Sequence, residues 1–233
     1  GLGQFCHAIR RNVNMLYVLE NNGVYGLTKG QFSASADVGS TARKGGAVNQ
    51  QPPIDPVLTA INFGCTFVAR GFSGDKQNLV PLLKAAIRHP GFALLDVLSP
   101  CVTFNDHEGS TKSYAYTRES ERTTVYADFI PSREPIETDR VQDVTTITLH
   151  DGSRIVLRKV DNDYNPLDAG AATAYIRDHQ DEGEIVTGLL YINEEAQDLH
   201  AMNNTSNTPL STLELSKLIP GAAKLAALQK AWR

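Results

Sequence analysis

An apolar run that ends in a polar, glycine-rich loop is the feature that most constrains this chain. Met15-Leu16-Tyr17-Val18-Leu19 reads as a buried strand, and it passes into Glu20-Asn21-Asn22-Gly23-Val24-Tyr25-Gly26-Leu27-Thr28-Lys29-Gly30-Gln31. An asparagine pair followed by three glycines in eight residues is too polar and too flexible for a core element. In an open α/β sheet, ligands sit at the carboxyl ends of strands, and this loop begins at such an end. Glycine lets backbone approach a ligand closely or take a positive φ. The asparagine amide oxygen is a hard donor suited to Mg²⁺, and Lys29 adds a point charge for a phosphate or carboxylate. The residues alone leave an ordinary glycine-rich βα loop with a solvated lysine equally open, because such loops are weakly specific.

Strand and helix patterns alternate up to about residue 105, which argues for a parallel α/β sheet. Residues 3–11 read as a helix and 14–20 as the strand. The stretch 21–54 is long and polar, and a structureless segment of that length inside a compact domain is usually functional. Asp55 is placed to cap a helix over 56–63 with proline at its first position. A strand over 66–69 follows. Residues 76–88 carry a helical pattern whose start Pro81 is expected to delay or kink, and 91–98 the next strand. Beyond residue 105 the pattern changes. Alternating segments 144–149 and 153–158 meet across His150-Asp151-Gly152, and Asp-Gly in that setting signals a hairpin. Residues 168–179 read as a helix, 184–192 as a strand, and 213–232 as a terminal amphipathic helix interrupted by Pro220. The chain thus divides into an α/β part, 1–105, and a smaller α+β segment, 106–233.

Of the 233 residues, 41% are hydrophobic and 21% charged, ordinary globular values. A formal charge of −4 gives no electrostatic footprint for nucleic acid. No apolar run approaches the roughly 20 residues of a membrane span, and Gly1-Leu2-Gly3-Gln4 lacks the basic start and apolar core of a signal peptide. Cys6, Cys65 and Cys101 show no pairing pattern, which fits a reducing, cytoplasmic setting. Cys6 and Cys65 lie in apolar segments and read as core thiols. Cys101 follows the strand-like Ala93-Leu94-Leu95-Asp96-Val97-Leu98, within Ser99-Pro100-Cys101-Val102-Thr103-Phe104-Asn105. On its chemistry alone a lone cysteine there is a buried hydrophobe. His107-Glu108 is too small a set for a metal site, the other histidines show no metal spacing, and the acidic run 178–184 reads as a solvated helix end. There is no nucleophile elbow and no Walker loop.

Together with Arg10-Arg11-Asn12-Val13-Asn14, the strand and the Asn21 to Gln31 loop resemble the β subunit of 2-oxoacid:ferredoxin oxidoreductases, most nearly the 2-oxoglutarate type. Ser99-Pro100-Cys101 adds to the likeness. Asp106-His107-Glu108-Gly109-Ser110 and Thr187-Gly188-Leu189-Leu190-Tyr191 extend it less specifically. The resemblance implies a thiamine diphosphate-binding fold, with 1–105 as the C-terminal part of the pyrophosphate-type domain. The loop is then the second half of the thiamine diphosphate motif. Its first half, a Gly-Asp-Gly turn after an earlier strand, is expected upstream of Gly1, so the chain reads as a fragment lacking the N-terminal part. Carried over residue by residue, the resemblance makes Asn22 a Mg²⁺ ligand through its side chain and Val24 one through its backbone carbonyl. Asn21 is structural, closing the turn through its side chain. Gly23, Tyr25 and Gly26 line the diphosphate end, and Leu27, Thr28 and Lys29 lie toward the thiazolium and the incoming oxoacid. Lys29 would hold the distal carboxylate of 2-oxoglutarate, and Leu27 would shape the same pocket. Cys101 would supply one of four thiolates to a [4Fe–4S] cluster.

The activity so implied is oxidative decarboxylation of a 2-oxoacid to its acyl-CoA. Coenzyme A takes the acyl group, ferredoxin takes the electrons, and an α subunit of the same enzyme is the partner. The fragment alone is expected to be inactive. Two other classes stay open. In a non-oxidative thiamine diphosphate-dependent decarboxylase or synthase, Cys101 is an ordinary thiol. A non-catalytic binding module is the second, because the Gly-Asp-Gly turn is not in this sequence.

Overall fold

The computed structural model describes residues 1–42, 46–130, 144–148, 152–159, 161, 163–219 and 221–232. Helix α1 (Leu2–Arg10) turns Phe5 and Ile9 inward. Asn12, at φ 47°, then swings the chain into β1 (Met15–Asn21). Asparagine tolerates this left-handed conformation better than most residues, and here its amide is used on both sides. Its Oδ1 accepts from the Phe92 amide, and its Nδ2 donates to the Gln197 carbonyl, each at 2.8 Å.

The polar stretch after β1 is not structureless. Strands β2 (Val24–Tyr25) and β3 (Gln31–Phe32) pair antiparallel, and Thr41 bridges Val48. Helix α2 (Pro56–Asn62) starts as expected: the Asp55 carboxylate accepts from the Val57 and Leu58 amides at 2.7 and 3.0 Å. Strand β4 (Phe67–Phe72) runs beyond the expected residue 69. Arg70 broke the apolar pattern, but its charge is neutralised inside the fold, so the strand continues through it. Helix α3 (Lys76–Arg88) begins at Lys76 despite Pro81. Asp75 caps the Gln77 and Asn78 amides, and buried Leu82, Ala85 and Ala86 outweigh the one backbone bond that proline removes. Strand β5 (Phe92–Leu98) is buried along its whole length.

Past residue 105 come α4 (Tyr114–Ser120), β6 (Glu121–Ile130), β7 (Val144–Thr148), β8 (Arg154–Lys159), α5 (Ala169–Asp181) and β9 (Ile185–Ile192). These strands do not form a separate sheet. One seven-stranded sheet runs β1-β5-β4-β9-β6-β8-β7. Its β1-β5-β4 part is parallel, β9 runs antiparallel to β4, β6 parallel to β9, and β8 and β7 antiparallel in turn. The expected hairpin is present as the β7–β8 pair, with Ile147 opposite Ile155; residues 149–151 of its turn lie outside the described residues, as does Pro220.

Strand β1 was expected to be buried, yet Met15 and Val18 are 40% and 47% exposed. The reason is its place: among the described residues it has one sheet neighbour, β5, and stands at the edge. The core lies around β4, β5 and β9 and includes Phe67, Phe92, Leu94, Leu189 and Ile176. Burying a side chain of that size stabilises by about 1.5–3 kcal/mol.

Residues 1–199 form one compact unit and 200–233 another. Helix α6 (Leu199–Met202) stands at the boundary. The second unit carries α7 (Leu215–Leu218) and α8 (Ala222–Ala231), neither of which has a buried residue. No helix among the described residues is long and apolar enough to cross a membrane.

Candidate functional site

The parallel strands deliver their carboxyl ends to one place, and the Asn21 to Gln31 loop begins there. Asn21, 4% exposed, closes β1. Its Oδ1 accepts from Ser35 Oγ at 2.7 Å, and its carbonyl accepts from the Ser99 amide at 3.1 Å. The turn itself is closed by Asn22 rather than by Asn21: Asn22 Oδ1 accepts from the Val24 amide at 3.1 Å. That oxygen keeps a second lone pair. The Ser33 amide donates to Gly23 O at 3.0 Å, so the next pair, Val24 with Phe32, is a non-hydrogen-bonded one. The Val24 amide and carbonyl therefore face away from β3, on the Asn22 side. Two oxygens of the kind a hard cation takes thus share one edge of the loop. Asn21, Asn22, Val24 and Tyr25 also line a cavity of about 480 Å³, walled further by Phe5, Tyr17 and Leu19.

Gly23 is required at its position. It has φ +72°, and a Cβ there would lie 3.0 Å from Asn105 Nδ2 and 3.1 Å from Lys112 Cγ. The tip of the loop is different. Leu27 is fully exposed, Thr28 and Lys29 are exposed, and Lys29 has φ 75°. None of these three lines that cavity or a second, larger one beside Arg70. Tyr25 is 58% exposed, and Gly26 is half-buried.

Cys101 lies beside this loop. Its Sγ is 3.7 Å from the position a Cβ would take on Gly26. The Cys101 carbonyl accepts from the Phe104 and Asn105 amides at 3.1 and 2.7 Å, making a tight turn. Asn105 then reaches back, its Nδ2 donating to Asn22 O at 2.7 Å. The other two cysteines lie elsewhere. Cys65 is buried with its thiol donating to Phe67 O at 3.2 Å, and burial pushes that thiol up to about 12. Cys6 is half-buried against the core. His107 and Glu108 line neither cavity.

A buried ionic network beneath the loops went unread in the sequence. Arg70 Nε donates to Asp96 Oδ2 at 2.8 Å, and Nη2 to Asp55 Oδ1 at 2.9 Å. Arg70 is 5% exposed and Asp96 fully buried. Burial works against both charges at the Arg70–Asp55 contact. Even so, Arg70 and the Leu58 amide hold the Asp55 carboxyl below its ordinary value, and Asp55 and Asp96 hold the guanidinium charged. Arg70 lines a second cavity of about 550 Å³ with Asp37, Asp55 and Lys112, and Lys112 Nζ meets Asp37 Oδ2 at 3.0 Å. The only sequence signal was a lone arginine in an apolar strand, with an aspartate two residues from the end of the next one. The acidic run 178–184 at the end of α5 is also more than a solvated end. Glu184 pairs with Arg122 at 3.2 Å. His179, Glu182 and Glu184 bring ligand-type atoms within 4.8 Å of one another, though Arg122 already faces that carboxylate.

Residues 2–97 match the family model of the thiamine pyrophosphate enzyme C-terminal TPP binding domain. The chain is 42% identical over 137 residues to a 2-oxoacid:ferredoxin oxidoreductase subunit beta of Saccharolobus solfataricus, covering 58% of this chain and 42% of that protein. It is 40% identical over 106 residues to the 2-oxoglutarate oxidoreductase subunit KorB of Mycobacterium tuberculosis, covering 46% of this chain and 28% of that one. The chain thus spans less than half the length of these relatives. Among solved structures it is similar to 2-oxoglutarate:ferredoxin oxidoreductase from Magnetococcus marinus, a structure with 2-oxoglutarate, coenzyme A and succinyl-CoA bound. That match has a TM-score of 0.63 at 26% identity, over 98% of this chain and 62% of the other.

Proposed function

We propose that this chain, a homologue of the 2-oxoacid:ferredoxin oxidoreductase β subunits, is the part of such a subunit that carries one half of a thiamine diphosphate site and one ligand of an iron–sulfur cluster. The observation that carries the reading is the meeting of two loops. The Asn22 loop and the Cys101 turn leave adjacent parallel strands, β1 and β5, and touch where Gly26 faces Cys101 Sγ. A cofactor that releases electrons and a cluster that accepts them need that adjacency.

In this reading residues 1–105 are the C-terminal part of the cofactor-binding domain, and 106–233 are an accessory segment. Thiamine diphosphate supplies the electron sink for decarboxylating a 2-oxoacid. The chain's own residues do the holding. Asn22 Oδ1 and the Val24 carbonyl would hold Mg²⁺, a hard cation that takes oxygen ligands. Gly23, Tyr25 and Gly26 would line the diphosphate end of the loop, with Thr28 further in. Lys29 and Leu27 stand exposed at the loop tip, where Lys29 would hold the distal carboxylate of 2-oxoglutarate and Leu27 would shape the pocket around it. Cys101 supplies one cluster thiolate, the remaining ligands coming from outside this chain. Coenzyme A accepts the acyl group, ferredoxin the electrons, and an α subunit completes the enzyme.

The test is Cys101→Ala in the complete enzyme, read by iron content, electron paramagnetic resonance and cofactor titration. Loss of the cluster signal with thiamine diphosphate binding retained is expected. A full iron complement and an unchanged spectrum would remove Cys101 from the cluster and favour a non-oxidative thiamine diphosphate enzyme.

A further inference from the structure

The two loops are stitched together, not merely adjacent. The Ser99 amide donates to Asn21 O at 3.1 Å, a Cβ on Gly30 would come within 3.1 Å of Phe104 Cβ, and Gly26 faces Cys101 Sγ. Asn105 makes hydrogen bonds into both loops. The Asn105 backbone amide donates to Cys101 O at 2.7 Å, while its side chain donates to Asn22 O at 2.7 Å. The second bond fixes which end of the amide faces the loop, because a carbonyl can only accept. Asn105 is 2% exposed, and Ser110 Oγ anchors its own carbonyl at 3.0 Å. Its remaining atom, Oδ1, is buried and has no partner among the described residues. A buried acceptor of that kind is normally satisfied by water or a ligand.

We infer that Asn105 is a positioning residue that holds the metal-binding loop and the cluster-bearing turn in one fixed relation. The inference rests on the function proposed above and goes beyond it by naming the joint. Asn22 O belongs to the peptide that leads into Gly23, whose φ of +72° sets where the Val24 carbonyl points. Releasing that peptide lets both metal-facing oxygens drift. Releasing the Asn105 side chain also loosens the turn whose first residue is Cys101. A displacement of about 1 Å at such a site is enough to matter for bound-state geometry.

The test uses the complete, assembled enzyme with Asn105→Asp, which keeps the shape but cannot donate when ionised, and Asn105→Leu, which keeps the approximate volume and removes all polarity. Three readouts apply: the thermal midpoint, Mg²⁺–thiamine diphosphate affinity by calorimetry, and the cluster's electron paramagnetic resonance spectrum. Affinity is expected to fall about tenfold, the size of one lost buried hydrogen bond, and the spectrum to change with iron content intact. In an Asn22→Ala background the Asn105 substitutions should cost much less, since a residue acting through another is not additive with it. Should Asn105→Leu fail to fold, Asn105→Asp carries the experiment. Normal affinity and spectrum in a folded Asn105 variant, or full additivity with Asn22→Ala, overturn the inference while leaving the proposed function standing. If Asn22→Ala itself leaves cofactor affinity unchanged, the proposed metal site fails, and the inference falls with it.

Discussion

The two halves of the sheet keep charge in opposite places. In the parallel half, Arg70, Asp96 and Asp55 are sunk beneath the loops at the strand ends, and the Arg70 and Asp96 side chains are 6% and 0% exposed. In the mixed half, Arg122 gathers Asp161 at 2.8 Å and Glu184 at 3.2 Å, but its side chain is 41% exposed. The chemistry is the same and the setting is not. A surface network can form and dissolve at little cost. A buried one must be complete, because removing one member leaves an uncompensated charge in a poor solvent. The buried network lies under the half that carries the candidate site, and Asp55 also caps α2. It ties α2, β4 and β5 into one frame from which the two loops emerge.

Arg70→Ala is the harshest way to break this contrast. It strands Asp96 and most of Asp55 inside the fold, and the expected loss is about 3–5 kcal/mol of stability. Denaturant titration of the full-length protein reads it. A loss under about 1 kcal/mol would mean that water reaches these carboxylates and that the two networks are alike. The same frame should be sensitive to acid. The Asp55 pKa is lower folded than its ordinary value of 3.8, so its stabilisation is fully present above that value and fades as pH falls through the lower, folded one.

What the sequence exposed and what it hid follow from this arrangement. Most helices and strands were legible because caps and periodicity are local: Asp55 before Pro56, the alternation across β7 and β8; α4 and β6, in a polar and mixed stretch, were not. The loop at Asn22 and the turn at Cys101 were each visible as departures from core composition, and a family likeness gave them roles. Their contact was not visible, since Asn22 and Cys101 lie 79 positions apart and the β1–β5 pairing brings them together. The strand was expected to stop at residue 69, short of Arg70, because the partners that neutralise Arg70 come from other elements. The exposure of β1 was hidden for the same kind of reason, since an apolar run does not say whether it lies at a sheet's centre or edge. The outward tip at Leu27 and Lys29 depends on the β2–β3 pairing, which is too short to leave a pattern.

Lys29 sharpens the comparison at the rim of the parallel half. A charged hydrogen bond to a distal carboxylate contributes about 1.5–3 kcal/mol, or about one to two powers of ten in a specificity ratio. Lys29→Ala in the complete enzyme should lower kcat/KM for 2-oxoglutarate by about that factor and leave pyruvate, if it reacts, nearly unchanged. Equal losses on both substrates would place Lys29 on the cofactor diphosphate or in loop structure. Its positive φ makes the second outcome readable. Lys29→Gly relieves the backbone and removes the charge, so a structural role predicts recovery with glycine and a carboxylate contact predicts none.

Arg122→Ala is the smallest effect and the control for the first. Arg122 reaches Asp161, Glu184 and the Tyr175 hydroxyl, the last at 3.0 Å, a richer set than Arg70 has. Counting contacts would therefore rank it above Arg70. Burial ranks it below, because solvent screens each of these pairs and takes over the hydrogen bonds when the guanidinium leaves. The expected loss is within about 1 kcal/mol, smaller still in high salt. The Tyr175 hydroxyl and Arg122 together hold Asp161 down to about 2, so what the network contributes is present above an ordinary aspartate value of 3.8 and fades as pH drops toward 2. Tyr175 alone can keep part of that shift, since its hydroxyl donates to Asp161 Oδ2 at 2.6 Å without help from the arginine. The acid profile of Arg122→Ala should accordingly keep the direction of the wild type. A loss as large as that of Arg70→Ala would mean that exposure is the wrong variable, and that the mixed half is held by its charges as firmly as the parallel half is.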